Sequence, residues 1–249
     1  MTNDDGVLLR DKRVLVMGGG RFGANALEYL TANNAQVLVT DLNPDCTASS
    51  KVDVEAADLG ALNSLANGQS ALLVGDAVDS LLVLLETTVP DLVVTAIPGN
   101  AVARLVEKWS SKRGYKFEPY PQAVSKVLEN IPTSLVSFVN EPSAVIVVSY
   151  MPSNMRCRDG CMPPKGFCAT TGRPKLAPMN KLLEFAAYNN TDFSRILWSR
   201  DLTGGLGAID GKELFSLLKR LEAHRKSFTL SIGTACDCHG ILNHVKIAK

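Results

Sequence analysis

The sequence predicts an α/β protein built from a parallel sheet followed by a second, cysteine-rich α/β part. Short apolar runs alternate with helical periodicity through the first hundred residues, a glycine-rich turn follows the first run, and five of six cysteines lie after residue 150. The runs are Arg13–Met17, Gln36–Thr40, Ala71–Val74 and Leu92–Ile97. Continuous valine- and leucine-rich runs are the pattern of strands buried on both faces, and strands alternating with helices imply a parallel sheet. The helices expected between them are Phe22–Thr31, Val78–Leu85 and Ala101–Trp109. Ser110–Pro121 reads as a loop or boundary, which gives two parts, 1–112 and 113–249. In the second part, Ala144–Ser149, Ser194–Trp198 and Phe228–Ile232 are predicted strands, and Met179–Ala187 and Lys212–His224 amphipathic helices.

Composition limits the function classes. The 249 residues are 46% apolar and carry a net charge of +1, the balance of a globular protein with no electrostatic case for a nucleic-acid partner. Asp76, Asp79, Glu86 and Asp91 interrupt the most apolar region, so no run reaches the ~18 residues of a membrane helix. The acidic N-terminus, residues 1–6, has no apolar segment behind it and does not read as a secretory signal, so a cytoplasmic location is expected.

Gly18-x-Gly20-x-x-Gly23 stands between a predicted strand and a predicted helix, and Asp41 closes the next strand 18 positions after Gly23. Gly18 permits a tight turn, Gly20 lets backbone approach a pyrophosphate, and Gly23 allows close helix–strand packing. The helix start then offers N–H groups and a partial positive charge to phosphate. Asp41 would accept the ribose hydroxyls and repel a 2′-phosphate, which favours NAD(H) over NADP(H) and gives a Rossmann-like first part. Arg21 could reach a phosphate or lie solvated in the loop.

The segments RVLVMGGGRFGANALEYL, VLVTDLN, LLVGDAVD and DLVVTAIPGN, over roughly residues 10–112, resemble the TrkA-N type of nucleotide-binding domain. That resemblance implies NAD(H) or another adenine nucleotide held by Gly18, Gly20, Arg21, Phe22, Gly23 and Asp41, with Gly75 and Asp76 near the adenosine and Ile97 and Pro98 beside it. It does not imply catalysis. The precorrin-2 dehydrogenase type, which also opens on a Gly-Gly-Gly turn, is a weaker match.

Cys157-x3-Cys161-x6-Cys168 and Cys236-x-Cys238-His239 each follow a predicted strand. In one parallel sheet both would emerge at the carboxyl edge, beside the nucleotide. Soft thiolates suit an iron–sulfur cluster or zinc, and Gly160, Pro163, Pro164 and Gly166 leave backbone N–H groups for cluster sulfurs. The spacing matches neither the ferredoxin runs nor a zinc ribbon. A zinc variant would use Cys236, Cys238, His239 or His244 with one upstream cysteine. Redox-active thiols and inert buried cysteines are the competing readings. Cys46 reads as structural. Lys165, Arg173 and Lys175 would bind an anion or offset thiolate charge. Gly204-Gly205-Leu206-Gly207 reads as a second phosphate-binding turn or, as is commoner, an ordinary strand-to-helix junction, and the basic stretch with His224 as a solvated helix end.

The combined expectation is an NAD(H)-linked redox protein, an NAD-dependent oxidoreductase, with a cysteine-ligated metal or iron–sulfur site at Cys157, Cys161, Cys168, Cys236, Cys238 and His239. A non-catalytic nucleotide sensor with structural cysteines or zinc is the alternative. The partner is a small-molecule nucleotide; a redox partner protein and a homo-oligomer are both compatible with the sequence. No catalytic acid or base stands out.

Overall fold

The computed structural model describes residues 8–152, 154–155, 157–158, 160–162 and 164–249; the acidic segment 1–6 and Pro163 lie outside the described residues. The α/β expectation holds: two sheets are flanked by helices. The chain divides into two compact units, 1–101 with 206–216 and 102–205 with 217–249.

The first unit contains β1 (Arg13–Met17), α1 (Arg21–Ala32), β2 (Gln36–Asp41), β3 (Val54–Glu55), α2 (Ala61–Ser64), β4 (Ser70–Val74), α3 (Ala77–Thr87) and β5 (Leu92–Thr95). The strand order β5-β1-β2-β4-β3 is parallel throughout. Val14, Leu15, Val16, Val37, Leu38, Val39 and Val93 are fully buried, as their unbroken apolar runs require. A late strand, β11 (Leu206–Asp210), returns to pair antiparallel with β5. Because β2 and β5 lie on opposite sides of β1, the loops after β1 and β5 diverge there. Such a switch point at the carboxyl edge is where open α/β sheets hold ligands.

The second unit contains α4 (Ala101–Lys112), β6 (Lys116–Pro119), α5 (Val124–Leu128), β7 (Val136–Asn140), β8 (Val145–Ser149), α6 (Met179–Ala187), β9 (Phe193–Trp198), β10 (Arg200–Thr203), the later turns of α7 (Gly211–Ala223), β12 (Phe228–Ala235) and β13 (His239–Ala248). Its sheet runs β7-β8-β13-β12-β9, with β6 also on β13. Only β9 and β12 are parallel; β13 is antiparallel to β12, β8 and β6. The core gathers Leu183 and Ala186 of α6 with Ile146 and Val148 of β8 and Leu242 of β13.

Two expectations change here. The cysteine loops follow strands of this mixed second sheet, not of the sheet that carries the glycine turn. Gly204-Gly205 is the turn between β10 and β11, with Gly205 at φ +82°, not a strand-to-helix junction. In addition, α4, read from sequence with the first part, groups with the second unit from Val102 onward.

Candidate functional site

The glycine turn in the first unit is shaped by backbone contact. Gly18 has φ +95°, and a Cβ there would lie 3.1 Å from the Ala96 carbonyl and from Ile97 Cγ2. A Cβ on Gly23 would fall 1.8 Å from the Gly18 carbonyl oxygen, so only glycine lets α1 approach the turn this closely. Gly20 differs: nothing lies within 4 Å of its would-be Cβ. It is also the N-cap of α1, which has no side-chain cap and no acidic residue in its first turn. An uncapped helix start facing open space is suited to an anion.

Asp41 ends β2 beside that turn. One carboxylate oxygen accepts the Gly19 N–H at 2.6 Å and the other the Asn43 N–H at 2.8 Å, which fixes its orientation. Cys46 is buried, and a Cβ on Gly19 would lie 2.3 Å from its sulfur, so Cys46 packs the loop after β2 onto the turn. Asp76 caps α3, accepting the Val78 and Asp79 N–H groups at 2.9 and 2.8 Å, while Gly75 donates to the Asp41 carbonyl. Ile97 touches Gly18 from the β5 loop, with Pro98 following. Arg21 lies over the exposed ring of Phe22, 5.2 Å from its centroid. Leu42, the residue after β2, and Val74, the last of β4, are exposed at 72% and 52% on this same edge, and the sequence reading does not single them out.

The second unit collects the cysteines. Since β8 and β12 both oppose β13, and β9 parallels β12, the ends of β8, β9 and β12 share one edge. Cys236 to His239 form the β12–β13 turn there, closed by the Cys236 N–H to the His239 carbonyl at 3.0 Å. The Cys236 sulfur accepts the N–H groups of Cys238 and His239 at 3.4 and 3.3 Å. His239 stands between two sulfurs, with Nε2 3.4 Å from Cys157 Sγ and Nδ1 3.7 Å from Cys236 Sγ. Tyr150 staples the 151–177 loop: its N–H donates to the Cys238 carbonyl, and its hydroxyl donates to the Ala177 carbonyl while accepting the Ala177 N–H. Within that loop, Cys168 N–H donates to the Arg173 carbonyl, and Gly172 N–H donates to the Cys168 carbonyl. A Cβ on Gly204 would lie 2.2 Å from the Gly160 carbonyl oxygen, so the β10–β11 turn backs directly onto the cysteine loop.

Electrostatics divide the thiols. Burial, then Cys161, Cys168 and Cys236, push the Cys157 thiol up. Burial raises Cys236 against the pull of the Cys238 and His239 N–H groups. Burial pushes Cys238 up to about 11 despite a hydrogen bond from Lys175. At Cys168 desolvation is outweighed by hydrogen bonds from Thr171 and Thr170 and by the Lys175 ammonium, so its thiol sits below the usual value. Burial and Lys175 lower His239, which favours the neutral ring. Burial and Asp237 raise Asp201 to about 6. Among the described residues, no three His, Cys, Asp or Glu side chains form a ready-made metal cradle. His244 is not at this edge: it is fully buried along β13, with Nδ1 2.8 Å from the Ser231 hydroxyl.

Residues 14–98 match the family described as "Uncharacterized protein, N-terminal domain" (AF_1314_N), and residues 101–248 its C-terminal counterpart (AF_1314_C). A protein of Archaeoglobus fulgidus, itself described as uncharacterized, is 28% identical over 234 residues, which is 94% of this chain and 99% of the relative. No solved structure matches. These matches overturn the TrkA-N resemblance: the motifs that suggested it belong here to a different family spanning both units. A glycine turn, an acidic strand end and Gly-Asp before a helix recur wherever a βαβ unit must turn tightly and cap its helices.

Proposed function

The chain belongs to the AF_1314 family, and from that premise we propose that it is an NAD(H)-binding, redox-related protein whose second unit carries a cysteine–histidine centre for zinc or an iron–sulfur cluster. One observation carries the nucleotide reading. The uncapped start of α1 opens at Gly20 onto free space, at the switch point of the first sheet, with Asp41 held beside it. Phosphate would take the N–H groups of the first turn of α1. The remaining lone pairs of Asp41 would take ribose hydroxyls, and Leu42 and Val74 offer apolar surface to a base. A bound nicotinamide supplies hydride chemistry; the chain's own residues bind and orient it. The cysteine part rests on Cys157 in the loop after β8 and on Cys236 and His239 in the turn after β12, with the imidazole 3.4 Å from one sulfur and 3.7 Å from the other.

The test is an NADH titration followed by fluorescence. Because Gly20 has room for a side chain, Gly20→Asp should fold normally yet lose at least about tenfold in affinity, by placing charge and bulk where phosphate sits. NADPH should bind more weakly than NADH. Wild-type protein that binds neither ends the reading. Oxidation of bound NADH by an artificial electron acceptor separates an enzyme from a nucleotide sensor.

A further inference from the structure

The loop between β8 and α6 concentrates positive charge and exposed apolar surface. Residues 151–178 hold five basic side chains and one acidic, a net charge of +4 in a chain of +1. The other residues therefore sum to −3, so a nearly neutral total conceals one basic segment. Three of its cations, Arg158, Lys165 and Arg173, are exposed. Lys175 is half-buried, and its ammonium donates to the Pro164 carbonyl at 3.0 Å. Among the described residues, no ion pair neutralises Arg158 or Arg173.

Large apolar side chains stand exposed among these cations: Met162 at 62%, Phe167 at 48% and Leu176 at 71%. The backbone holds them there. Phe167 faces Pro174 across an antiparallel bridge, and the Lys175 N–H donates to the Gly166 carbonyl and the Cys168 N–H to the Arg173 carbonyl, both at 2.8 Å. This hairpin brings Lys165 and Phe167 beside Arg173 and Leu176. A turn closed by the Cys161 N–H on the Arg158 carbonyl, at 3.2 Å, precedes Met162. Apolar groups left in water contribute nothing to folding, and where charge surrounds them they mark an interaction surface.

The chemistry of the patch selects its partner. Arginine, methionine and phenylalanine are enriched where proteins meet, and the flexible thioether of methionine repacks against varied apolar surfaces. A single-stranded nucleic acid needs rings on which its bases stack, and Phe167 is the one aromatic residue in 151–178. We propose that this face of the loop docks an acidic protein surface. Arg158, Lys165 and Arg173 meet its carboxylates, and Met162, Phe167 and Leu176 pack against apolar groups between them. This goes beyond the proposed function, because the surface requires neither nucleotide nor metal.

The experiment follows the fluorescence anisotropy of a labelled random copolymer of glutamate and tyrosine, titrated with the reduced, full-length chain. The copolymer should bind at low salt, and its affinity should fall at least about tenfold when salt is raised to about 0.3 M. Polyglutamate, which has the charge without the rings, should bind more weakly than the copolymer. Lys165→Glu with Arg173→Glu should weaken copolymer binding at least about tenfold, and Met162→Ser with Phe167→Ser about fivefold with the salt dependence kept. Arg225→Glu with Lys226→Glu, a charge reversal of the other basic segment, should bind like wild type. Near-UV circular dichroism identifies any variant that fails to fold, and Lys165→Gln with Arg173→Gln then replaces the charge reversal, with a smaller loss expected. Wild-type protein that does not bind the copolymer overturns the proposal. So does an equal loss in the Arg225–Lys226 variant, or unchanged binding in the folded loop variants. Tighter binding of polyuridylate or of phosphatidylglycerol vesicles than of the copolymer also overturns it, giving the face to nucleic acid or to membrane. An NADH titration and metal analysis of the same samples report on the proposed function separately.

Discussion

His244 shows how one buried side chain sets a pH response. It is fully buried on β13, bonds Ser231 through Nδ1, and has no partner for Nε2 among the described residues. Burial alone lowers it to about 4. The unfolded chain takes up this proton near pH 6.5 and the folded chain only near 4, so stability is complete above about 6.5 and falls as pH drops through that window. The full difference is about 3 kcal/mol. Asp201, raised to about 6, works in the opposite direction over overlapping pH, so the wild-type curve alone is not diagnostic. The expected result is that His244→Gln loses about 3 kcal/mol of pH dependence between 7 and 4, relative to wild type, in urea denaturation. Equal slopes in the two proteins would refute it. Sequence spacing offered His244 as a zinc ligand, because burial of one face of β13 cannot be read from a histidine's position in the chain. The turn itself was legible because Gly18, at positive φ, and Gly23, against the Gly18 carbonyl, stand where few other residue types fit; Gly20 has room for a side chain, so sterics do not dictate it.

At the scale of elements, Asp76 and Gly204 make separable predictions. Asp76 caps α3 through two N–H groups, so Asp76→Ala should cost about 1 kcal/mol, measured by denaturant unfolding. A large loss of NADH affinity in Asp76→Asn, which can still cap the helix, would instead give the carboxylate a ligand role. Gly204→Val would drive a side chain into the Gly160 backbone and displace the loop carrying Cys157 and Cys161. Its thiols should then react faster with a maleimide than wild type, while NADH affinity stays the same; unchanged thiol kinetics would refute the contact. The buried parallel strands and α6 were legible because continuous apolar runs and a clean helical stripe have few other solutions. The second sheet was only partly so. The ten residues of β13 alternate buried Gly240 and Leu242 with half-buried Ile241 and Asn243, and its histidines and lysine dilute the apolar signal. Strand β6 lay inside a stretch read as a boundary, since Lys116, Glu118 and Pro119 are exposed there.

For the whole molecule, the decisive feature is that the first unit is not continuous in sequence. The chain leaves it after residue 101 and returns for 206–216. That return completes the unit: β11 pairs with β5, Gly211 N–H donates to the Asp91 carbonyl at 3.1 Å, and a Cβ on Gly211 would strike the Pro90 carbonyl at 1.8 Å. Ala208, Ile209 and Leu214 are buried in the process. Burying an isoleucine and a leucine contributes roughly 3–6 kcal/mol, a large part of the 5–15 kcal/mol net stability typical of a domain. A fragment ending at residue 112, where composition alone divides the chain, should therefore leave the edge of β5 unpaired. An unpaired, apolar edge strand promotes aggregation. The fragment is expected to melt without cooperativity or to aggregate. Joining residues 204–223 after residue 101 through a flexible glycine–serine linker should restore a cooperative thermal transition, followed by circular dichroism, together with whatever NADH affinity the full chain has. Cooperative melting of the 1–112 fragment at the temperature of the intact protein would show that the returning segment adds nothing, and that the first unit is complete before the cysteine-bearing unit begins.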